Sequence, residues 1–149
     1  MSADDKFIIR DFRDSDYNEI VHIWKLTGLG NPERGDTFKT IKDTVRIGGK
    51  MLVMEEKSTG NICGTSWMTF DGRRIFLHHF GILPDLQGKG LSKSLLTASL
   101  QFIREKGYQA KLEVHTTNKK AINLYKKFGF KILNGYDVYI LREISQIQF

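Results

Sequence analysis

The hydrophobic pattern of this chain changes period in its middle, and the change falls on a basic, glycine-rich turn, PDLQGKGLSKSLL, Pro84 to Leu96. Before it, KMLVMEE, NICGTSWMTF and RIFLHHFGIL read as three strands. These apolar runs are separated by turn residues at Ser58-Thr59-Gly60 and Asp71-Gly72, and the connections are short enough to predict an antiparallel meander. After it, Leu91, Leu95, Ala98 and Phe102 recur at helical spacing with Leu96 and Ile103 beside them, predicting a long helix to about Lys106. A strand that ends at Ile82 and feeds through a tight turn into a helix points to a mixed α/β architecture.

The rest of the chain extends the pattern. A strand is predicted at Phe7 to Arg10, then a polar corner at Asp14, Ser15 and Asp16, where Asp16 and Glu19 resemble a helix start. Tyr17, Ile20, Val21 and Trp24 form the apolar face of an amphipathic helix ending near Gly28. GLGNPERGD, Gly28 to Asp36, is a loop, and Phe38, Ile41 and Val45 predict a second short helix that stops at Gly48-Gly49. Downstream, KLEVHT is a strand, Lys119 to Phe128 a helix, and FKIL with YDVYILRE a closing strand pair around Asn134-Gly135. No internal repeat or low-complexity segment interrupts this order.

A chain of 149 residues with 40% hydrophobic content has the size and apolar fraction of one domain with a real core. Its apolar runs are short and its N-terminus, MSADDKFIIR, is polar, so neither a membrane span nor a secretory signal is expected and a cytoplasmic protein follows. A single cysteine, Cys63, excludes an internal disulfide and a cysteine-based metal cluster; it reads as a small buried hydrophobe. No metal site is expected. The net charge of +6 favours anionic partners, but no run of Lys or Arg is dense enough for a nucleic-acid arm.

The turn itself fails two familiar phosphate patterns. A Walker loop needs glycine where Leu83 stands and Ser or Thr where Gly90 stands. A dinucleotide fingerprint needs its third glycine where Lys93 stands. What remains is a strand end, two glycines that let backbone approach a ligand, and a helix N-terminus with unpaired N–H groups, to which Lys89 adds positive potential. By itself this suits either a phosphate cradle or a turn whose glycines serve tightness alone.

The downstream segment LEVHTTNKKAINLYKKFGF, Leu112 to Phe130, fits L-x-V-x-x-x-N-x-x-A-x-x-L-Y-x-x-x-G-F at every specified position. Together with P-x-x-Q-x-x-G ending at Gly90, it resembles the GNAT superfamily of acetyl-CoA-dependent N-acyltransferases. The resemblance implies the GNAT fold, α/β, with a mixed, mostly antiparallel sheet of about seven strands flanked by about four helices, as one domain over residues 1–149. It implies acetyl-CoA as donor and a small-molecule or peptide amine as acceptor. An alternative on the same scaffold is a non-catalytic acyl-CoA-binding regulatory module.

Residue by residue, the resemblance assigns Gln87, Gly88, Lys89, Gly90, Leu91 and Ser92 to the pyrophosphate of coenzyme A, mostly through backbone N–H groups. Ser92 replaces the usual Gly or Ala. Phe80, Gly81 and Ile82 fall where the family's strand splays and frees backbone groups for the pantetheine arm and the thioester carbonyl; Leu83 faces the same arm. Asn118 and Ala121 match positions lining the cofactor from the other side. Tyr125 matches the tyrosine near the thioester sulfur, where a phenol of pKa near ~10 can protonate a departing thiolate. Its other reading is membership of the apolar face with Ala121 and Phe128.

An ammonium acceptor must lose a proton before it attacks. Many relatives carry a glutamate six residues before the position of Ile82, where this chain has Phe76. His78 stands two residues on, on the same strand face as Phe76, and some aralkylamine-acetylating relatives have histidine there; His79 is expected on the opposite face with a structural role. The base is then His78, directly or through water, or a water chain with no single base. The acceptor pocket is expected between Trp24, the Gly28 to Asp36 loop with Asn31 and Arg34, and the Asp71 to Arg74 turn. A monomer and a homodimer pairing through Tyr136 to Leu141 both fit the sequence.

Overall fold

The computed structural model describes residues 3–149, without the side chains of Ala3 and Asp4. It divides into two compact units, Met1–Glu113 and Val114–Phe149.

The first unit is built on one sheet. Strands β1 (Phe7–Asp11), β2 (Lys50–Glu56), β3 (Ile62–Phe70), β4 (Ile75–Ile82) and β5 (Ala110–Leu112) lie in the order β1-β2-β3-β4-β5. The first three pairings are antiparallel and β4 with β5 is parallel. Helices α1 (Tyr17–Thr27) and α2 (Phe38–Arg46) join β1 to β2, and α3 (Leu91–Lys106) joins β4 to β5. The meander and all three helices therefore stand where hydrophobic period and turn residues place them.

Sequence explains the helix ends. Gly28, at φ 70°, closes α1 in the left-handed region that glycine enters without strain. Thr37 opens α2 by accepting a hydrogen bond from the Thr40 N–H. Asp16 does not cap α1 as its spacing suggests. Its carboxylate instead takes two hydrogen bonds from the Arg10 guanidinium, at 2.8 and 2.9 Å, while Arg10 Nε reaches Glu55 at 2.6 Å. Burial opposes the charge on Asp16, but the bonds from Arg10 and the Arg13 N–H prevail and hold its carboxyl below the usual range.

Both faces of the sheet are covered, which is why Met51 to Met54 are buried without alternation. Ile20, Ile23 and Trp24 of α1 and Ile41 of α2 pack with Met51 and Trp67 on one side. On the other, α3 buries Leu91, Leu95 and Leu96, and its Ser99 hydroxyl meets that of Ser66 on β3 at 2.7 Å. Each fully buried leucine or isoleucine contributes roughly 1.5–3 kcal/mol against exposure. Cys63 is buried as expected, its thiol donating to the Met54 carbonyl.

The second unit holds helix α4 (Lys119–Lys127), capped by Asn118, whose side-chain oxygen accepts from the Ala121 N–H. Two strand predictions need correction. The KLEVHT strand is reduced to Ala110–Leu112, and FKIL with YDVYILRE forms no strand among the described residues, so the sheet has five strands rather than about seven. The parallel ladder stops at Leu77 with Leu112, just before β4 leaves regular geometry at His79. Tyr136, Tyr139 and Ile140 remain exposed: alternation supplies an apolar face, but a strand also needs a partner backbone. No helix among the described residues is long and apolar enough to cross a membrane.

Candidate active site

The centre of the first unit is an irregularity in β4. Thr65 pairs with Gly81 and Trp67 with His78, so two residues on β4, His79 and Phe80, stand opposite Ser66 alone. This is a β-bulge, and at φ 44° His79 is the non-glycine residue in the left-handed region among those described. The conformation costs roughly 1–2 kcal/mol for a residue with a Cβ.

The bulge overturns the face assignment of the two histidines. Strict alternation sends His79 away from His78, but the extra residue returns it to the same side, and both rings meet Trp67, at centroid distances of 6.2 Å and 5.0 Å. His78 stacks on Phe76 at 4.0 Å and its Nε2 shares a 2.8 Å hydrogen bond with Thr69 Oγ1. Burial, followed by the neighbouring His79, pushes the His78 pKa down to about 4, so its imidazole is neutral at pH 7.

His79 lies against Trp24, at 4.6 Å between centroids, and its Nε2 is 3.1 Å from Asp36 Oδ2. That contact has ion-pair distance without hydrogen-bond alignment, and neither ring nitrogen, both buried, has a hydrogen bond. Around it the polar groups are ordered: Trp24 Nε1 donates to Thr65 Oγ1 at 3.0 Å, and Thr65 donates to the His79 carbonyl at 2.7 Å. Trp24, expected as a pocket wall, is thus a fully buried tryptophan that backs His79 and stacks on Trp67.

The Gly28 to Asp36 loop lies on this bulge. A Cβ on Gly30 would fall within 2.7–2.9 Å of the His79 and Trp24 rings, so only glycine allows the backbone so close. Leu29 covers Gly81 in the same way. Asn31 opens the short turn Pro32–Arg34 by accepting from the Glu33 N–H, and its own N–H donates to Asp36 Oδ2 at 2.7 Å. Arg34 is exposed, and Asp71 turns back to bond the N–H groups of Arg73 and Arg74.

Beyond the bulge, Leu83 N–H bonds the Cys63 carbonyl and Gln87 Nε2 bonds the Ile82 carbonyl, fixing the chain as it leaves β4. Gly88 and Gly90 have φ of 79° and 80°, and a Cβ on either would meet nothing within 4 Å. These glycines are therefore required by backbone conformation, and the space above them is open. Gly90 caps α3 without a side chain, so no side chain takes the first-turn N–H groups, and Lys89 precedes it in sequence. A groove of about 700 Å³ runs along this start of α3, lined by Lys89, Gly90, Lys93, Phe7 and Met54 among others. An uncapped helix of 16 residues, open glycines and a flanking lysine fit a pyrophosphate.

In the second unit, Ala121 and Tyr125 lie one turn apart on α4 behind the Asn118 cap. Tyr125 is buried, its ring meets Phe130 edge-on, and burial pushes its pKa up to about 12. Sequence reasoning missed His79 and its link to Asp36. The adjacent histidines were a signal, but the bulge that joins them on one face depends on pairing with β3.

Comparison with known proteins matches residues 17–130 to the Acetyltransferase (GNAT) family. A mycothiol acetyltransferase of Propionibacterium freudenreichii subsp. shermanii is 28% identical over 134 residues, covering 83% of this chain and 42% of that protein. One from Clavibacter sepedonicus is 30% identical over 81 residues, 54% of this chain and 27% of that protein. The chain thus spans less than half the length of these relatives. Among solved structures, an acetyltransferase from Streptococcus agalactiae 2603 superposes with a TM-score of 0.77 at 18% identity, covering 93% of each chain.

Proposed function

The chain belongs to the Acetyltransferase (GNAT) family, and we propose that it moves the acetyl group of acetyl-CoA to a primary amine of a small molecule or peptide by direct attack. The observation that carries this reading is the exit from β4: a bulged strand followed by two left-handed glycines and an uncapped helix start. Acetyl-CoA supplies the acetyl group as an activated thioester. The N–H groups of Gln87 to Ser92 bind its pyrophosphate, helped by the α3 dipole and Lys89. Backbone groups of Phe80, Gly81 and Ile82, with Leu83 alongside, orient the pantetheine arm and polarise the carbonyl.

In this reading both units form one acetyltransferase domain, since the family match runs from one into the other. Asn118 and Ala121 contribute to the cofactor side, and Tyr125 gives its proton to the thiolate. A phenol held at about 12 keeps that proton at neutral pH. Cys63 takes no part, because burial pushes its thiol up to about 12 and leaves it protonated. Asn31 and Arg34 face the acceptor from the loop, with Trp24 behind. Similarity to two mycothiol acetyltransferases favours a small-molecule amine among the acceptors.

A thiol-release screen of amines, amino acids and N-terminal peptides with acetyl-CoA tests this reading. Turnover with at least one class is expected. The second reading, an acyl-CoA-binding regulatory module, is supported by Phe76 in the place of the relatives' glutamate. Tight acetyl-CoA binding with no release on any amine would select it.

A further inference from the structure

We propose that Asp36 and His79 form the proton-accepting pair of this transfer, the imidazole taking the proton of the acceptor ammonium while the carboxylate holds the imidazolium. The inference rests on the acetyltransferase reading and names a residue of its acceptor side.

Two costs fall on His79 together. Its left-handed backbone is strained, and its buried ring nitrogens lack hydrogen bonds, which leaves their desolvation uncompensated. Such costs persist at functional positions because the working state repays them. The position is apt: His79 immediately precedes the Phe80 to Ile82 run assigned to the thioester.

The surroundings suit a histidine that gains charge. Asp36 Oδ2 stands 3.1 Å from Nε2 and is itself held by the Asn31 N–H at 2.7 Å, so the carboxylate does not have to be recruited. Nδ1 is then the atom left for the substrate's proton. From α1 and β3 the ring is faced by Trp24 and Trp67, whose π-electrons favour a cation nearby. The titratable groups facing it are Asp36 from the loop and His78 from its own strand, the latter neutral at pH 7. Both ring nitrogens are buried and Gly30 of the loop packs against the Cδ2–Nε2 edge, so an acceptor reaches the ring only when this loop, bounded by left-handed glycines at 28 and 35, moves aside.

The protons balance. The ammonium loses one proton to His79 Nδ1, and its freed electron pair forms the C–N bond as the C–S bond breaks. The second proton lost by the nitrogen leaves to water, the thiolate takes one from Tyr125, and Tyr125 recovers its own from water. His79 returns its proton to solvent, so each turnover yields the amide, the free thiol and one net proton.

The test uses the full chain with an amine found active in the thiol-release screen. His79→Asn suits a left-handed backbone without offering a comparable base, so kcat should fall about 100-fold or more with acetyl-CoA affinity within about twofold. His79→Gly leaves a ring-sized space, and added imidazole should restore part of its turnover. Asp36→Asn removes the anion that favours the imidazolium, so the acidic limb of the kcat–pH profile should move to lower pH. This second variant decides the matter if the histidine variants do not fold. A folded His79→Asn protein with kcat within about threefold of wild type, or an acidic limb unmoved in Asp36→Asn, overturns the pair while leaving acetyl transfer intact. A wild type silent on every amine overturns both.

Discussion

Leu29 occupies the space that a β-carbon on Gly81 would need, so the loop after α1 and the bulged part of β4 are fitted to one another at a glycine. Gly81→Ala is expected to push the Leu29 terminal methyl outward, at a cost of about 1 kcal/mol, the low end for overpacking, because the tip of a flexible side chain can turn aside. It should also lower turnover, because the neighbouring backbone carries the thioester. Leu29→Ala should relieve most of that cost. A double-mutant cycle on urea midpoints and thiol release checks this; additive losses would show that the two residues are not coupled.

At Gly88 and Gly90 the expectation differs, because open space surrounds both and only φ is demanding. Gly90→Ala meets no clash but strains the left-handed backbone by roughly 1–2 kcal/mol, and relaxation of that strain misaims the first N–H groups of α3. Acetyl-CoA affinity should drop about tenfold. Lys89→Ala should cost a few-fold at low ionic strength and progressively less as salt screens its charge. Calorimetric titration at two salt concentrations separates the effects, and an unchanged affinity in Gly90→Ala would remove the cradle assignment.

How far the sequence revealed this depends on how local each cause is. The meander, α1 to α4 and the turn into α3 follow from apolar period and from glycines at fixed offsets, which act within a few residues. The face of His79 does not, because the bulge arises from how β4 pairs with Thr65 and Trp67 on β3. Asp36 was legible as a polar loop residue, but its approach to His79 goes with a loop backbone so close to the ring that Gly30 has no room for a β-carbon. YDVYILRE shows the opposite failure, a strand-like alternation without a ladder to join.

His78 makes stability depend on mild acid. Unfolded, it takes up a proton near pH ~6.5; folded, burial delays that to about 4. Between the two values the unfolded state binds more protons, so stability is full above the upper value and is lost as pH falls through the window. His78→Gln retains a partner for Thr69 but does not titrate, so its stability curve should be flatter there. Urea midpoints from about pH 7.5 to about pH 4.5 test this; parallel curves for the two proteins would refute the buried neutral imidazole.

Tyr125 is expected to remain a proton donor across any practical assay range, because burial pushes its pKa up to about 12 and ionisation would remove its proton only in strong alkali. Tyr125→Phe keeps the ring that meets Phe130 and deletes the hydroxyl alone. Turnover should therefore fall roughly 100-fold, with melting temperature and acetyl-CoA affinity close to wild type. The loss should be flat with pH between about 6 and about 9, since no ionisation of the phenol intervenes. Equal kcat in the two proteins over that range would return Tyr125 to the apolar face of α4, where its burial is packing alone.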